Sequence, residues 1–448
     1  MSHKRIGFAT RLGAIAATVG SAVGLGNIWR FPYEAGQNGG GAFLLVYVLC
    51  VLLLGIPVML SEFIIGRSTH QNMKGALQTL VPGKKVYRFA YICITGALVT
   101  LGFYFVVCGW VLQYLCHAVT GEFSGQTSQE YGLLFTRLIE SPWAMLLWTW
   151  LFMAVNFVVM LQGVQKGIER IAAIMMPMLF VLLAVLCVNS LLLPGAHKGL
   201  QFLFNIDFSH LGWHGVVDAF GQAFMSLSLG MACMVTYASY FNDETSLSRD
   251  AFTVAGLDSL VAIMAGVMIF PAVFSFGMQP EAGPKLVFEI LPAVFQQMTG
   301  GYIWAILFFL LLFFASLTST ISLSEIAIKF LIEEHNLSRK KAIILTAVLS
   351  TILATLCALS FNVLRHWTVY NMNLFDLLNY LASNVFMLLG GLGAALIVGW
   401  LIDKKVIQRQ LAHKGQRSPR LERYLIVCVR YVAPIAIVLI FLQLTGVI

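Results

Sequence analysis

Apolar residues run along this chain in long blocks, with neither the strict alternation of a half-buried strand nor the polar stripe of a water-facing helix. Eleven blocks are long enough to cross a bilayer as helices, about 20 residues each. They cover 11–36, 41–66, 89–118, 143–163, 168–193, 215–241, 250–277, 300–332, 340–362, 375–401 and 422–446. Residues 280–299 carry Pro280, Pro284 and Pro292 and read as an extracellular loop holding a short helix; 123–141 has no readable pattern. The expectation is an all-α integral membrane protein, one transmembrane domain over 1–448. An odd number of spans puts the termini on opposite sides.

Two blocks are interrupted where lipid would penalise it. The first contains "GSAVGLGNIWRFP" (20–32), with three glycines, Asn27, Arg30 and Pro32. The sixth contains "SLSLG" (226–230) at mid-depth. Unwinding a helix in hydrocarbon leaves N–H and C=O groups unpaired, at several kcal/mol each, unless the break lines a cavity within protein. Freed carbonyls suit a hard cation, and freed N–H groups suit a carboxylate. A break recurring five spans after the first predicts an inverted five-plus-five helix repeat, with broken helices 1 and 6. The halves cover 11–193 and 215–401, and an eleventh helix over 422–446 lies outside them. Paired breaks of this kind mark a transport site near the bilayer midplane. The alternative is that these glycines serve close helix packing alone.

Composition sharpens this reading. Charged residues make up only 11% and hydrophobic ones 59%, against about 25% charged in a soluble domain. Lysines and arginines cluster on one side: Lys4, Arg5 and Arg11; Arg67 to Arg88; Lys166 and Arg170; Arg249; Arg339 to Lys341; and seven between Lys404 and Arg423. The other side has Arg137, Lys198, Lys285 and Arg365, with Arg30 at a helix end. That asymmetry predicts a cytoplasmic N-terminus and an extracytoplasmic C-terminus. The net charge of +8 then describes topology; no nucleic-acid partner is expected. The eight cysteines fall within spans, form no CxxC pair, and are expected to pack. No phosphate-binding GxxxxGK[ST] motif occurs, so no nucleotide is expected. The first span carries polar residues and no processing site, unlike a cleavable signal.

The stretches "ATRLGAIAATVGSAVGLGNIWRFPYEAGQNGGGAF", "GIPVMLSEFIIGR", "KGIER", "GQAFMSLSLGM", "TYASY", "LTST" and "LSRKKA" resemble the neurotransmitter:sodium symporter family. The likeness is to its bacterial amino-acid transporters, in their eleven-span form, and covers essentially the whole chain. It implies no enzyme but a carrier working by alternating access in the inner (plasma) membrane, with two co-transported sodium ions. The first would be held by Ala22, Asn27 and Ser226, with the substrate carboxylate as a shared ligand. The second would be held by Gly20, Val23, Ala315, Thr318 and Ser319; without the resemblance, Thr318 and Ser319 would more often be helix–helix hydrogen bonders. Asp258 stands where relatives often carry Asn at the first sodium site. An ionisable group in the membrane is functional by default. A fixed carboxylate there predicts chloride-independent transport, and a proton carried on the return step is a further expectation.

The resemblance also implies a free L-amino acid as substrate. Gly24 leaves open the space that an Asp fills in monoamine carriers. N–H groups around Leu25 and Gly26, with the Tyr104 hydroxyl, would hold the carboxylate; carbonyls around Ser21, Met225 and Ser228 would hold the ammonium. Thr100, Met225, Met231, Ser319 and Leu323 would line the side-chain pocket, and flexible methionines predict a large or aromatic apolar side chain. Arg30 and Asp376 resemble an outer gate closing with Tyr104. Arg5 with Glu333 resembles an inner latch, near Tyr240 and Glu325. Two sodium ions, each gaining about 2.3 kcal/mol per 100 mV and about 1.4 kcal/mol per tenfold gradient, would supply on the order of 7 kcal/mol. The rival readings are a carrier of small amino acids or osmolytes, and a channel or non-transporting sensor on the same fold.

Overall fold

The computed structural model describes residues 7–123, 128–277, 285–412 and 418–444, and these are all-helical. Nine continuous helices are long and apolar enough to span a membrane. They are α2 (Gly41–Thr69), α3 (Lys85–Thr120), α4 (Pro142–Leu161), α5 (Val164–Leu191), α7 (Leu247–Ser275), α8 (Gly301–His335), α9 (Arg339–Leu359), α10 (Leu374–Leu401) and α11 (Pro419–Gln443). The first span is a pair, α1a (Arg11–Ala22) and α1b (Gly26–Gln37), bent by 49°. The sixth is split into α6a (Trp213–Ser226) and α6b (Cys233–Ala238). Boundaries follow the apolar blocks within a few residues, since bilayer thickness dictates span length. Within the proline-rich stretch, Leu286–Gln297 forms a short apolar helix. The unreadable loop contains a helix, Ser128–Glu140.

The outer faces are apolar. Leu147, Ile174, Val181, Val188, Ile344 and Ile352 all stand more than half exposed, a band too large for water and suited to lipid. The polar groups lie inside instead, with Asn27, Glu62, Asp258, Thr318 and Glu325 buried. Helices α3 and α8 pack together at the centre, and α5 packs against α1a, α7 and α8.

The two breaks face one another. In α1, the side-chain oxygen of Asn27 accepts from the Gly24 N–H at 3.0 Å, replacing a lost helical partner. In α6, Ser228, Gly230 and Ala232 are left-handed, with φ of 51°, 82° and 61°. For Ser228 and Ala232 this conformation costs about 1–2 kcal/mol each, so tertiary contacts must hold it. Glu62 of α2 supplies one, accepting from the Gly230 N–H at 2.7 Å. A second is backbone contact with α10: a Cβ on Gly390 would sit 1.7 Å from the Gly230 oxygen. Across the breaks, the Ser228 hydroxyl donates to the Ser21 carbonyl at 2.8 Å, and Gln222 donates to the Gly26 carbonyl at 2.8 Å.

Candidate functional site

The breaks enclose a cavity of ≈ 40 Å³ lined by Ala22, Gly24, Gly26, Thr100, Phe103, Tyr104, Met225, Ser228, Met231, Ser319, Leu323, Ala382, Ser383 and Met387. The pocket residues expected from the sequence all lie on this wall. Sequence reasoning missed Phe103 and the α10 residues Ala382, Ser383 and Met387, which sit in plain apolar blocks without a local signal. Of the two glycines that line the cavity, Gly24 is the one with no room for a side chain, while Gly26 has space. A Cβ on Gly24 would stand 2.5 Å from Ser319 Oγ and 3.3 Å from the Tyr104 hydroxyl.

Several polar groups expected to wait for a substrate have partners within the chain. The Leu25 N–H donates to the Tyr104 hydroxyl at 3.3 Å, so these two stand together. The Ser21 carbonyl accepts from Ser228 and keeps one lone pair, since a carbonyl oxygen has two. The Met225 carbonyl accepts from the Ser228 N–H at 3.1 Å. Thr100 Oγ1 lies 2.8 Å from the Gly96 carbonyl and 3.2 Å from Met231 Sδ.

Next to the cavity, Asp258 is fully buried. Its Oδ1 accepts from Asn27 Nδ2 at 2.7 Å, and its Oδ2 from the Ser226 hydroxyl at 2.6 Å. Asn27 Nδ2 also reaches Ser226 Oγ at 2.7 Å. The carboxylate therefore ties together α1, α6 and α7 at the expected first ion position. Tyr47 of α2 adds a third contact to the carboxylate, its hydroxyl 3.3 Å from Oδ2; nothing in the apolar block 41–66 singles it out. No lysine, arginine or histidine pairs with Asp258 among the described residues. The Asp258 carboxyl is therefore buried among neutral partners, with no counter-charge among the described residues.

At the second expected position, α1a lies directly against α8. A Cβ on Gly20 would meet Thr318 Cβ at 3.3 Å. The Ala315 carbonyl accepts from Thr318 Oγ1 at 3.1 Å and from Ser319 Oγ at 3.0 Å. Val23 N–H donates back to the Val19 carbonyl, and beyond it the helix gives way to the bend. Gly20 thus meets Thr318, and Ala315, Thr318 and Ser319 cluster on α8 with both hydroxyls engaged by that helix's own backbone.

Outside the cavity, a vestibule of ≈ 480 Å³ is lined by Leu25, Trp29, Arg30, Tyr33, Glu34, Val107, Phe375, Asp376 and Tyr380 among others. Tyr104, Phe103, Gly26, Met225 and Ser383 line both spaces and form the partition. Arg30 and Asp376 share this vestibule but are not paired. Arg30 Nε instead meets Glu34 at 3.1 Å, one helical turn away on α1b, and its Nη1 meets the Met225 thioether at 2.6 Å. The expected pairing is corrected accordingly: in this conformation the nearer carboxylate, on the same helix, holds the arginine.

The opposite end is shut. Residues 7–10 are held by α5 and α6b: Gln165 donates to the Gly7 carbonyl at 2.8 Å, and Phe8 N–H to the Tyr240 carbonyl at 3.1 Å. Glu169 accepts from Ala9 N–H, Thr10 N–H and the Thr10 hydroxyl at 2.7, 2.9 and 2.8 Å. Tyr240 and Glu325, both placed on the inner pathway from the sequence, are hydrogen-bonded, the Tyr240 hydroxyl donating to Glu325 at 2.7 Å, and Arg339 binds Glu325 through both terminal nitrogens at 2.9 and 2.8 Å. Arg5, the expected latch, lies outside the described residues. Its expected partner Glu333 is bound by Lys329 Nζ at 3.0 Å and by the Asn72 side chain at 2.9 Å. Lys329 also lies 4.2 Å over the Tyr240 ring. Sequence reasoning passed over Lys329, although a lysine inside an apolar block is itself a signal.

This arrangement carries an expected outcome. A tyrosine hydroxyl on a carboxylate contributes about 1.5–3 kcal/mol, so Tyr240→Phe should loosen the inner seal. Cys233 is buried on α6b beside Ser21 Oγ, at 3.1 Å. Its alkylation from the side that residues 7–10 close, followed by peptide mass spectrometry, should accelerate about tenfold or more in the variant. An unchanged rate would show that the contact does not gate.

Comparison with known proteins agrees with these features. The sodium:neurotransmitter symporter family matches residues 5–132 and 135–447. YhdH, a sodium-dependent transporter of Bacillus subtilis (strain 168), is 37% identical over 445 residues, 99% of each chain. A sodium-dependent transporter of Haemophilus influenzae is 33% identical over 99% of this chain and 98% of its own. The crystal structure of MhsT in complex with L-phenylalanine is similar with a TM-score of 0.91 at 42% identity, covering 98% of this chain and 99% of that one. With two facing helix breaks inside a multi-pass membrane bundle and a family match along nearly its whole length, this chain belongs to the sodium:neurotransmitter symporter family, as a sodium-dependent symporter and not an enzyme.

Proposed function

We propose that this symporter couples two sodium ions to uptake of a hydrophobic amino acid with a large or aromatic side chain, without chloride. The observation that carries this reading is the cavity between the breaks. Its wall carries Met225, Met231, Leu323 and Met387, and at its boundary with the vestibule the Leu25 N–H donates to the Tyr104 hydroxyl at 3.3 Å. The structure of the 42% identical MhsT holds L-phenylalanine, which supports a substrate of this class here.

Ala22, Asn27, Ser226 and Asp258 would hold the first ion together with the substrate carboxylate, so neither binds well without the other. Gly20, Val23, Ala315, Thr318 and Ser319 would hold the second. The repeats 11–193 and 215–401 would rock about these sites, with α11 outside them. The basic face would lie in the cytoplasm, and the chain in the inner membrane.

A second reading is favoured by one number. The cavity, at ≈ 40 Å³, has room for about three waters at about 10–15 Å³ each on this scale. A large side chain enters only if the thioethers swing aside, which their three rotatable bonds allow. A carrier of small amino acids needs no such movement. Labelled tryptophan, phenylalanine, leucine, alanine and glycine should therefore be offered to the purified protein in sodium and in potassium. Sodium-dependent binding led by tryptophan, phenylalanine or leucine is the expected result. Preference for alanine or glycine would establish the smaller-substrate reading, and binding indifferent to sodium would refute the proposed coupling.

A further inference from the structure

Arg430 lies inside α11, level with Gly399 near the end of α10. A Cβ on Gly399 would stand 3.1 Å from Arg430 Cγ, so the glycine lets the arginine stem lie flat on α10. Gly399 precedes Asp403, where the span has ended, by four residues, which places the arginine about 6 Å inside that end. Its Nε donates to the Gly399 carbonyl, and its guanidinium lies 5.4 Å over the Trp400 ring. Nη1 and Nη2 have no acceptor among the described residues, and neither is sealed in the interior. The nearest carboxylate along α11, Glu422, is engaged by Gln408 at 2.9 Å and faces Lys404 at 3.7 Å.

The surroundings match a lipid interface. Trp400 is 57% and Tyr431 52% exposed, and their rings meet edge to face at 6.1 Å, as amphipathic aromatics do at headgroup level. The next helix, Lys404–Leu411, opens with exposed Lys404 and Lys405. A guanidinium with two free N–H-bearing nitrogens offers a planar fork that fits a phosphate. No carboxylate among the described residues pairs with Arg430, and this face of the bundle is the one rich in lysine and arginine.

We propose that Arg430, with Trp400 and Lys404–Lys405, forms a binding site for the headgroup phosphate of an anionic phospholipid. The fork grips the phosphate, the lysines add charge toward water, and the acyl chains lie along the apolar face of α11, past Ile435 and Val438. The site is remote from the sodium and substrate cavity and does not depend on which amino acid is carried.

The test uses the full chain purified in dodecyl maltoside and supplied with phosphatidylglycerol, phosphatidylcholine or inorganic phosphate. Retained lipid is read by native mass spectrometry, and stability by the melting temperature. Phosphatidylglycerol should be retained and should raise the melting temperature; phosphatidylcholine and inorganic phosphate should do neither. Arg430→Gln should weaken phosphatidylglycerol binding about fivefold or more, one basic group contributing about that factor at an anionic surface. The double variant Lys404→Gln/Lys405→Gln should weaken it comparably, while Arg430→Lys retains part. Sodium-dependent substrate binding by Arg430→Gln reports that it has folded. Equal retention of phosphatidylcholine by the unaltered protein overturns the proposal even if that variant fails to fold. So does unchanged phosphatidylglycerol binding in Arg430→Gln, or an equal effect of phosphate alone.

Discussion

Asp258→Ala should abolish sodium-dependent substrate binding, and Asp258→Ser should yield a carrier that works only with chloride. The carboxylate sits fully buried against Asn27, Ser226 and Tyr47, all neutral donors. With sodium beside it, the ion and carboxylate form a buried pair, and removing one partner of such a pair costs about 3–5 kcal/mol. That corresponds to a loss of sodium affinity of about a hundredfold or more. In Asp258→Ser the hydroxyls and amide remain, with space where the carboxylate stood, and an external anion can restore the charge. Uptake into vesicles should be compared with chloride and with gluconate as the only anion. The unaltered protein should be indifferent to the exchange and the serine variant should not be. Loss of uptake by the unaltered protein in gluconate would refute a fixed internal charge.

Glu62→Gln should weaken substrate binding about tenfold to a hundredfold, although Glu62 does not line the cavity. Its Oε1 accepts from the Gly230 N–H at 2.7 Å, and its buried Oε2 has no hydrogen-bond partner among the described residues. It thus caps the start of α6b, where the chain runs through three left-handed residues. Glutamine can keep an acceptor oxygen on the Gly230 N–H but loses the charge that strengthens that bond. Hydrogen bonds to a charged group contribute about 1.5–3 kcal/mol, the range of the expected loss. Equilibrium binding of labelled substrate in saturating sodium measures it. If affinity holds and only the melting temperature falls, Glu62 supports the bundle without shaping the break.

The outline of the protein was legible because the bilayer imposes length. An apolar block such as 89–118 has one way to satisfy its backbone in lipid, so its existence and bounds follow from the residues alone. The breaks were legible for the same reason: Gly24, Asn27 and Ser226 are tolerable at mid-depth only around a cavity. Asp258 stood out as a charge that lipid does not tolerate.

Which groups meet was decided by the tertiary structure. Both faces of most spans are apolar, so periodicity cannot say which side of α2 turns inward. Only packing brings Tyr47 to Asp258, 211 residues on, and Glu62 to Gly230, 168 residues on. Arg30 is the clearest case: Glu34 and Asp376 are both within the same vestibule, and helix geometry gives the arginine to the carboxylate one turn away. Sequence alone determined that there is a broken-helix site at the membrane's middle, because exposed backbone in lipid has so few solutions. Rotation and packing of the helices decided which side chains face it, because those depend on every other helix in the bundle.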